Sequence, residues 1–285
     1  MAVQTRAKRR FGAHLAALRG RTDLSLAAAG KKLRLTAVTL GRYESGEVLP
    51  LWPTALSIMH LYGATAEDVA AAEGLWDAAS DEPPPIRLPT GTTKDFRRLV
   101  NAEREAEAEW MLAMNALPGL LQTEAHARAL LGAGHRFHFS EGRVESVLAT
   151  RLSRQQRLVG PDALKLHALI DESVIVRQVG GPDVAIEQLT HLLEMGDRPN
   201  VVVQIIPFAV GAYGAMGGDC TIISYPNPDE GQGVYLDSVG GGAWVDDVND
   251  VGRFTTMFQD VSAMALSPAK TSSLIRRHKG AAANQ

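Results

Sequence analysis

The sequence predicts an α+β fold in two parts, an all-α head of five helices followed by an α+β domain. Three observations predict it. Apolar residues recur at helical spacing through the first 80 residues, a cluster at Pro83, Pro84, Pro85 and Pro89 interrupts the chain, and β-branched runs of strand length alternate with helical segments beyond it. The domains expected are residues 1–80, a linker over 81–93, and residues 94–285.

A chain of 285 residues, 45% hydrophobic and 21% charged, is long enough for two globular domains. No apolar run approaches the roughly 18 residues of a membrane-spanning helix, and the N-terminus lacks the apolar core of a signal peptide. A cytoplasmic protein with no membrane partner is expected. The single cysteine, Cys220, excludes an intramolecular disulfide and any multi-cysteine metal site, and its apolar neighbours predict a small buried side chain. The net charge of −3 hides an asymmetry: residues 1–50 carry ten Lys/Arg against three acids, +7, which leaves −10 on the remainder. A basic head on an acidic body suits a molecule whose head alone meets a polyanion.

Residues 1–10 hold Arg6, Lys8, Arg9 and Arg10 with no acid, and read either as a flexible arm along a phosphate backbone or as an ordinary basic terminus. Phe11, Leu15 and Leu18 give a first helix closed by Gly20. Ser25 N-caps a second helix with Leu26, Ala29, Gly30 and Leu33 on its inner face, Arg34 and Leu35 turn the chain, and Thr36 caps a third helix from Ala37 to Ser45. Leu40 and Tyr43 pack inward, while Ala37, Val38, Thr39 and Arg42 point away. Gly46 and Pro50 stop it. Pro53 opens a fourth helix with Ala55, Ile58, Met59 and Tyr62 inside, and a fifth from Ala66 to Ala79 buries Val69, Ala72 and Trp76.

Beyond the linker, Lys94 to about Ala108 reads as a helix whose run of Glu103, Glu105, Glu107 and Glu109 forms a solvated face, with a strand from Trp110 to Asn115. Strands are expected over 164–170, 201–206, 220–225 and 234–237, and helices over 144–158, 184–195, 251–265 and 267–278.

Two short helices, the second with a first turn of small side chains followed by Arg42, read as a helix-turn-helix whose second helix enters a major groove. The run Leu40, Gly41, Arg42, Tyr43, Glu44, Ser45, Gly46 and Pro50 resembles the phage-repressor-like (XRE) helix-turn-helix family. That family has Ala where Gly30 stands, Gly where Arg34 stands and Ser where Gly41 stands. Each mid-helix Gly costs roughly 1 kcal/mol against Ala, Arg34 faces a left-handed conformation, and Gly41 lacks a hydroxyl for phosphate.

The segment Pro118-Gly119-Leu120-Leu121-Gln122-Thr123-Glu124, with Arg151 to Gln156, Ile170 to Ser173, Val203 to Pro207 and Ala265 to Pro268, is similar to the domain that follows such heads in actinobacterial antitoxin-like regulators. The resemblance runs from about Phe96 to Arg277. It implies a small protein partner encoded nearby.

Other chemistry is declined. His135 and His138 have no third ligand at a recognisable spacing, Asp171-Glu172 suits helix capping, the Asp237, Asp246, Asp247 set suits lining a pocket or, the preferred reading, capping a helix, and the loop 211–218 lacks the ending of a phosphate loop, reading as a mobile, partner-binding loop. No enzyme, cofactor or metal is expected. The expected function is sequence-specific transcriptional regulation, nucleoid-associated, by a homodimer on double-stranded DNA. Ser25, Arg10 and Lys31 would meet phosphates, and Thr36, Ala37, Val38, Thr39 and Arg42 base edges. The alternatives are a protein-binding antitoxin with little DNA affinity, or a second domain that senses a small ligand.

Overall fold

The computed structural model describes residues 6–80, 86, 88–138, 141–160, 162–226, 231–238 and 241–283; the side chains of residues 6, 135–138, 141 and 142 are not among them. The chain divides into two compact units, Met1–Pro85 and Ile86–Gln285.

The first unit is the five-helix head, with α1 Arg6–Gly20, α2 Leu26–Leu33, α3 Ala37–Glu44, α4 Trp52–Leu61 and α5 Ala66–Ser80. Phe11, Leu15, Leu18, Ala29, Leu40, Ala55, Ile58, Met59, Tyr62 and Ala72 make its core, each large member contributing roughly 1.5–3 kcal/mol by leaving water. Trp76 donates its indole N–H to the Pro50 carbonyl at 2.8 Å, fixing α5 to the segment after α3. A reciprocal cap starts α5, since Thr65 and Asp68 exchange backbone-to-side-chain bonds at 2.9 and 3.2 Å.

Of the two readings of the basic N-terminus, the flexible arm fails for residues 6–10, which are the first turns of α1; residues 1–5 lie outside the described residues. The reason is close packing on α3's end. A Cβ at Gly46, which has φ +73°, would lie 2.5 Å from both the Arg9 Cα and the Lys8 carbonyl oxygen, and one at Gly12 would lie 2.6 Å from the Tyr43 and Glu44 carbonyl oxygens. Two glycines let the backbones touch, and that contact holds the basic turn helical.

The second unit is an α+β domain around one mixed six-stranded sheet of order β3-β2-β1-β4-β5-β6. After α6 Lys94–Glu105 come β1 Ala108–Ala113, α7 Glu124–His138, α8 Glu141–Gln155, β2 Lys165–Asp171, α9 Glu172–Val176, α10 Pro182–Gly196 and β3 Val201–Ile206. β1, β2 and β3 run parallel, as helical crossovers require. β4 Cys220–Ser224, β5 Gln232–Leu236 and β6 Ala243–Val245 continue antiparallel from β1. α11 Val248–Met264 and α12 Pro268–Ala282 follow.

Strand alternation divides the core between the two faces. Leu166, Ala168, Ile170, Val201, Val203 and Ile205 pack with Leu189 and Leu192 of α10 and Leu274 and Ile275 of α12. Leu112, Leu169, Cys220, Ile222 and Val234 pack with Val251, Phe258 and Val261 of α11. The edge of β3 is covered where Leu266 donates to the Ile205 carbonyl at 2.9 Å and Ile205 donates to the Thr271 hydroxyl at 3.0 Å.

The glutamate run is the second correction. The helix stops at Glu105, Ala108 already belongs to β1, and Glu103 and Glu109 are buried rather than solvated. Glu109 shares a face of β1 with Met111 and Ala113, so the strand's two-residue period carries it inward. Strand β6, three residues long, has no counterpart among the expected strands.

Candidate nucleic-acid interface

The interface is built on two capped helices and the turn between them. Ser25 adopts an extended conformation and accepts from the Ala28 amide at 3.2 Å, which starts α2. Arg34 ends it in the left-handed region, φ 59° and ψ 32°, the one non-glycine with positive φ among the described residues. A left-handed L-residue costs about 1–2 kcal/mol; the Leu35 amide, donating to the Gly30 carbonyl at 2.8 Å, offsets part of it. Thr36 then accepts from the Thr39 amide at 3.0 Å and its hydroxyl meets that of Thr39 at 2.8 Å.

What aims α3 is its buried end. Glu44 accepts both prongs of an Arg19 Nε contact at 2.9 and 3.0 Å and the Tyr62 hydroxyl at 2.8 Å, so one carboxylate ties α1 and α4 to α3. Arg19 also donates to the Leu24 carbonyl at 3.2 Å, just before α2. The hydrogen bond to Glu44 holds the guanidinium charged, and burial together with Glu44 pushes the Tyr62 phenol well above its ordinary range. Motif spacing flagged Glu44, but nothing local in sequence pairs it with Arg19 or Tyr62.

The other side of α3 is open. Ala37, Val38 and Arg42 are exposed and Thr39 is half-buried, with Val38 at 72%. Arg42 meets Glu47 at 3.1 Å in an exposed pair. Leu26 of α2 lies 3.7 Å from where a Cβ at Gly41 would stand, so the start of α2, with Ser25 just before it, rests beside the middle of α3. Lys31 sits exposed in the last turn of α2, with Lys32 and Arg34 next to it. Arg10 is exposed on α1, one residue from the Gly46 contact and therefore near the far end of α3. Two head arginines are committed inside the head, Arg19 to Glu44 and Arg21 to Asp68 at 3.0 Å.

The second unit holds polar groups of a different kind. The Pro118 to Glu124 segment is a clamped 3-10 turn: Gln122 donates to the Leu117 carbonyl at 2.6 Å, Arg151 to the Gln122 side-chain oxygen at 2.6 Å, and Gln155 to the Gly119 and Gln122 carbonyls at 2.9 and 2.7 Å. Gln188 closes it, accepting from the Thr123 amide and donating to the Leu121 carbonyl, each at 2.7 Å. These motif residues are structural cement. Burial and Arg154 lower Arg151 to about 10, and burial with Arg151 lowers His126 to about 4.

Asp171 and Asp247 cap α9 and α11. Asp246 pairs with Arg98, whose guanidinium lies 4.7 Å from the Trp244 ring centroid. His278 contacts Glu172 at 2.9 Å. The 211–218 loop is pinned by the Tyr213 hydroxyl, which donates to Asp171 at 2.6 Å, and by buried Ala215. Cys220 is buried, and burial pushes its thiol up to about 12. Open grooves flank α11, one along Gly214, Gly252 and Met257, the other along Trp110, His167 and Phe258. Among the described residues no three His, Cys, Asp or Glu side chains could hold a metal, and the His135 and His138 side chains lie outside them. No described helix is long and apolar enough to cross a membrane.

A helix-turn-helix domain model matches residues 10–72, and a model of a domain of unknown function, DUF5753, matches residues 96–277. No curated protein and no solved structure matches the chain. The head is thus a helix-turn-helix domain, a module that marks a DNA-binding regulator. With its second model spanning most of the sequence, the chain belongs to the DUF5753 family, here carried behind a helix-turn-helix domain.

Proposed function

We propose that the chain is a sequence-specific DNA-binding transcriptional regulator that lays α3 in the major groove. The observation that carries this reading is the two-sidedness of α3: Leu40 and Glu44 are buried in the head while Ala37 and Val38 in the first turn and Arg42 in the last stand in solvent. Ser25, Lys31 and Arg10 would meet phosphates, and Thr36, Ala37, Val38, Thr39 and Arg42 would meet base edges. The charge of the head supports it, with ten Lys/Arg in residues 1–50.

One helix-turn-helix covers only a few base pairs, so a homodimer on a two-fold site follows. The second domain acts as a regulatory rather than catalytic part. Its likeness to domains of antitoxin-like regulators supports a small protein partner. The protein works in the cytoplasm, at the nucleoid.

The test is binding of the full chain to duplex DNA from its own promoter region across a salt series. A reader of DNA weakens steeply with salt, and Arg42→Ala costs about 1–3 kcal/mol and relaxes base preference. Absence of binding at low salt overturns the reading in favour of a protein-binding antitoxin with little DNA affinity.

A further inference from the structure

We infer that the first turn of α3 reads the 5-methyl groups of thymines, with Val38 as the principal contact. The inference rests on the DNA-reading role proposed above and deepens it. A single exposed valine on a protein surface is ordinary. Val38 is different by position, because it stands 72% exposed two residues past the Thr36 cap, on the turn that a recognition helix presents to base edges.

The chemistry of that turn is narrow. Ala37 offers a methyl and Val38 two. Thr39 would ordinarily bring a hydroxyl, but its oxygen meets the Thr36 hydroxyl at 2.8 Å, and the Thr36 oxygen also takes the Thr39 amide at 3.0 Å. The two hydroxyls share one hydrogen bond within the cap, so Thr39 presents its γ-methyl beside a hydroxyl partly committed to Thr36. Residues 37 to 41, Ala-Val-Thr-Leu-Gly, include no Asn, Gln, Arg, Lys, Asp or Glu, the side chains that read adenine, guanine or cytosine by hydrogen bonds. Among major-groove edges, only thymine carries an apolar group. A surface of methyls therefore selects thymine.

Charge settles what occupies this face. Lys31, Lys32 and Arg34 are exposed at the turn that leads into α3, a setting suited to a polyanion. Arg42, one helical turn beyond Val38, is the remaining polar reader, and its exposed pair with Glu47 is weak enough to exchange.

The experiment selects binding sites for the full chain from random duplexes, then replaces each shared thymine in turn by deoxyuridine. That base keeps every hydrogen-bonding group and lacks only the methyl. Each contacted methyl is expected to be worth about fourfold in affinity. Val38→Ala should weaken the thymine site and bring the thymine-to-deoxyuridine ratio toward one, with its unfolding midpoint unchanged. Selected sites without a shared thymine, equal binding of thymine and deoxyuridine at every position, or an unchanged ratio in Val38→Ala would overturn the inference while leaving DNA reading intact. A chain that binds no duplex at low salt overturns both.

Discussion

Glu44 in the head and Glu109 in the second unit are both carboxylates removed from water, and the two units treat them differently. Glu44 receives Arg19 and Tyr62, and each bond fixes α3. Glu109 is fully buried, and neither of its oxygens has a hydrogen-bond partner among the described residues. Beside it, Glu103 takes the Arg154 guanidinium at 3.0 Å. Burial first and the Glu103 charge second push the Glu109 carboxyl well above its usual range, against the pull of Arg154 and Arg157. The difference teaches that a satisfied buried charge can position an element, whereas an unsatisfied one is pushed toward its neutral form.

The largest test of this contrast is Arg154→Met. It strands Glu103 and Glu109 together in an apolar interior and removes packing on the Phe96 ring, whose centroid lies 5.5 Å from the guanidinium carbon. Breaking a buried pair this way costs about 3–5 kcal/mol. Hydrogen exchange resolved by peptide should report the loss in α6, β1 and α8 and leave the head unchanged. Glu44→Ala should cost less, about 2 kcal/mol, because Arg19 is 26% exposed and regains water while Tyr62 loses its buried acceptor. Faster exchange in α1, α3 and α4, with weaker DNA binding, is the expected reading. A larger loss for Glu44→Ala than for Arg154→Met would reverse the comparison.

Glu109→Gln sharpens it through pH. A carboxyl whose folded pKa is raised contributes stability that is fully present below the unfolded value of about 4.3 and is lost as pH rises toward the folded value. Glutamine keeps the shape and cannot ionise. The variant should match the wild-type midpoint near pH 4 and exceed it by a growing margin toward pH 8, read by thermal unfolding of the second unit. Equal slopes for the two proteins would mean that Glu109 ionises freely in the fold.

The same contrast explains what could be read in the chain. Head elements announce themselves within a few residues, because caps at Ser25 and Thr36, the stop at Gly46 and the apolar stripes of α1 and α4 are local signals. Gly12 was silent, since its role is a contact with residues 43–46 far along the chain. In the second unit β3 was legible as a run of β-branched residues, but β6 is three residues long and exists only because β5 pairs with it. The glutamates misled for a related reason. Helical periodicity was extended across Ala106, where the chain changes to a strand and the facing of every residue changes with it. Of the α3 candidates, Ala37, Val38 and Arg42 are exposed and Thr39 is half-buried, whereas Arg10 and Lys31 stand on other helices, a distinction only packing supplies.

The smallest effect separates two glycines that look equivalent in sequence. Both Gly30 and Gly41 lie inside helices of the helix-turn-helix, and propensity alone gives each about 0.5–1 kcal/mol on replacement by Ala. Their surroundings differ. A Cβ at Gly41 would rest 3.7 Å from the Leu26 Cδ1, an ordinary contact, so Gly41→Ala should raise head stability by most of that amount. A Cβ at Gly30 would lie 2.8 Å from the Leu35 carbonyl oxygen, inside the turn that Arg34 already strains at φ 59°. That oxygen belongs to backbone and cannot swing aside, so Gly30→Ala should gain nothing and lose up to about 1 kcal/mol. Thermal unfolding of the two variants decides it, and opposite signs are expected. If both stabilise, the turn is softer than its left-handed arginine implies, and α3 is aimed by Glu44 alone.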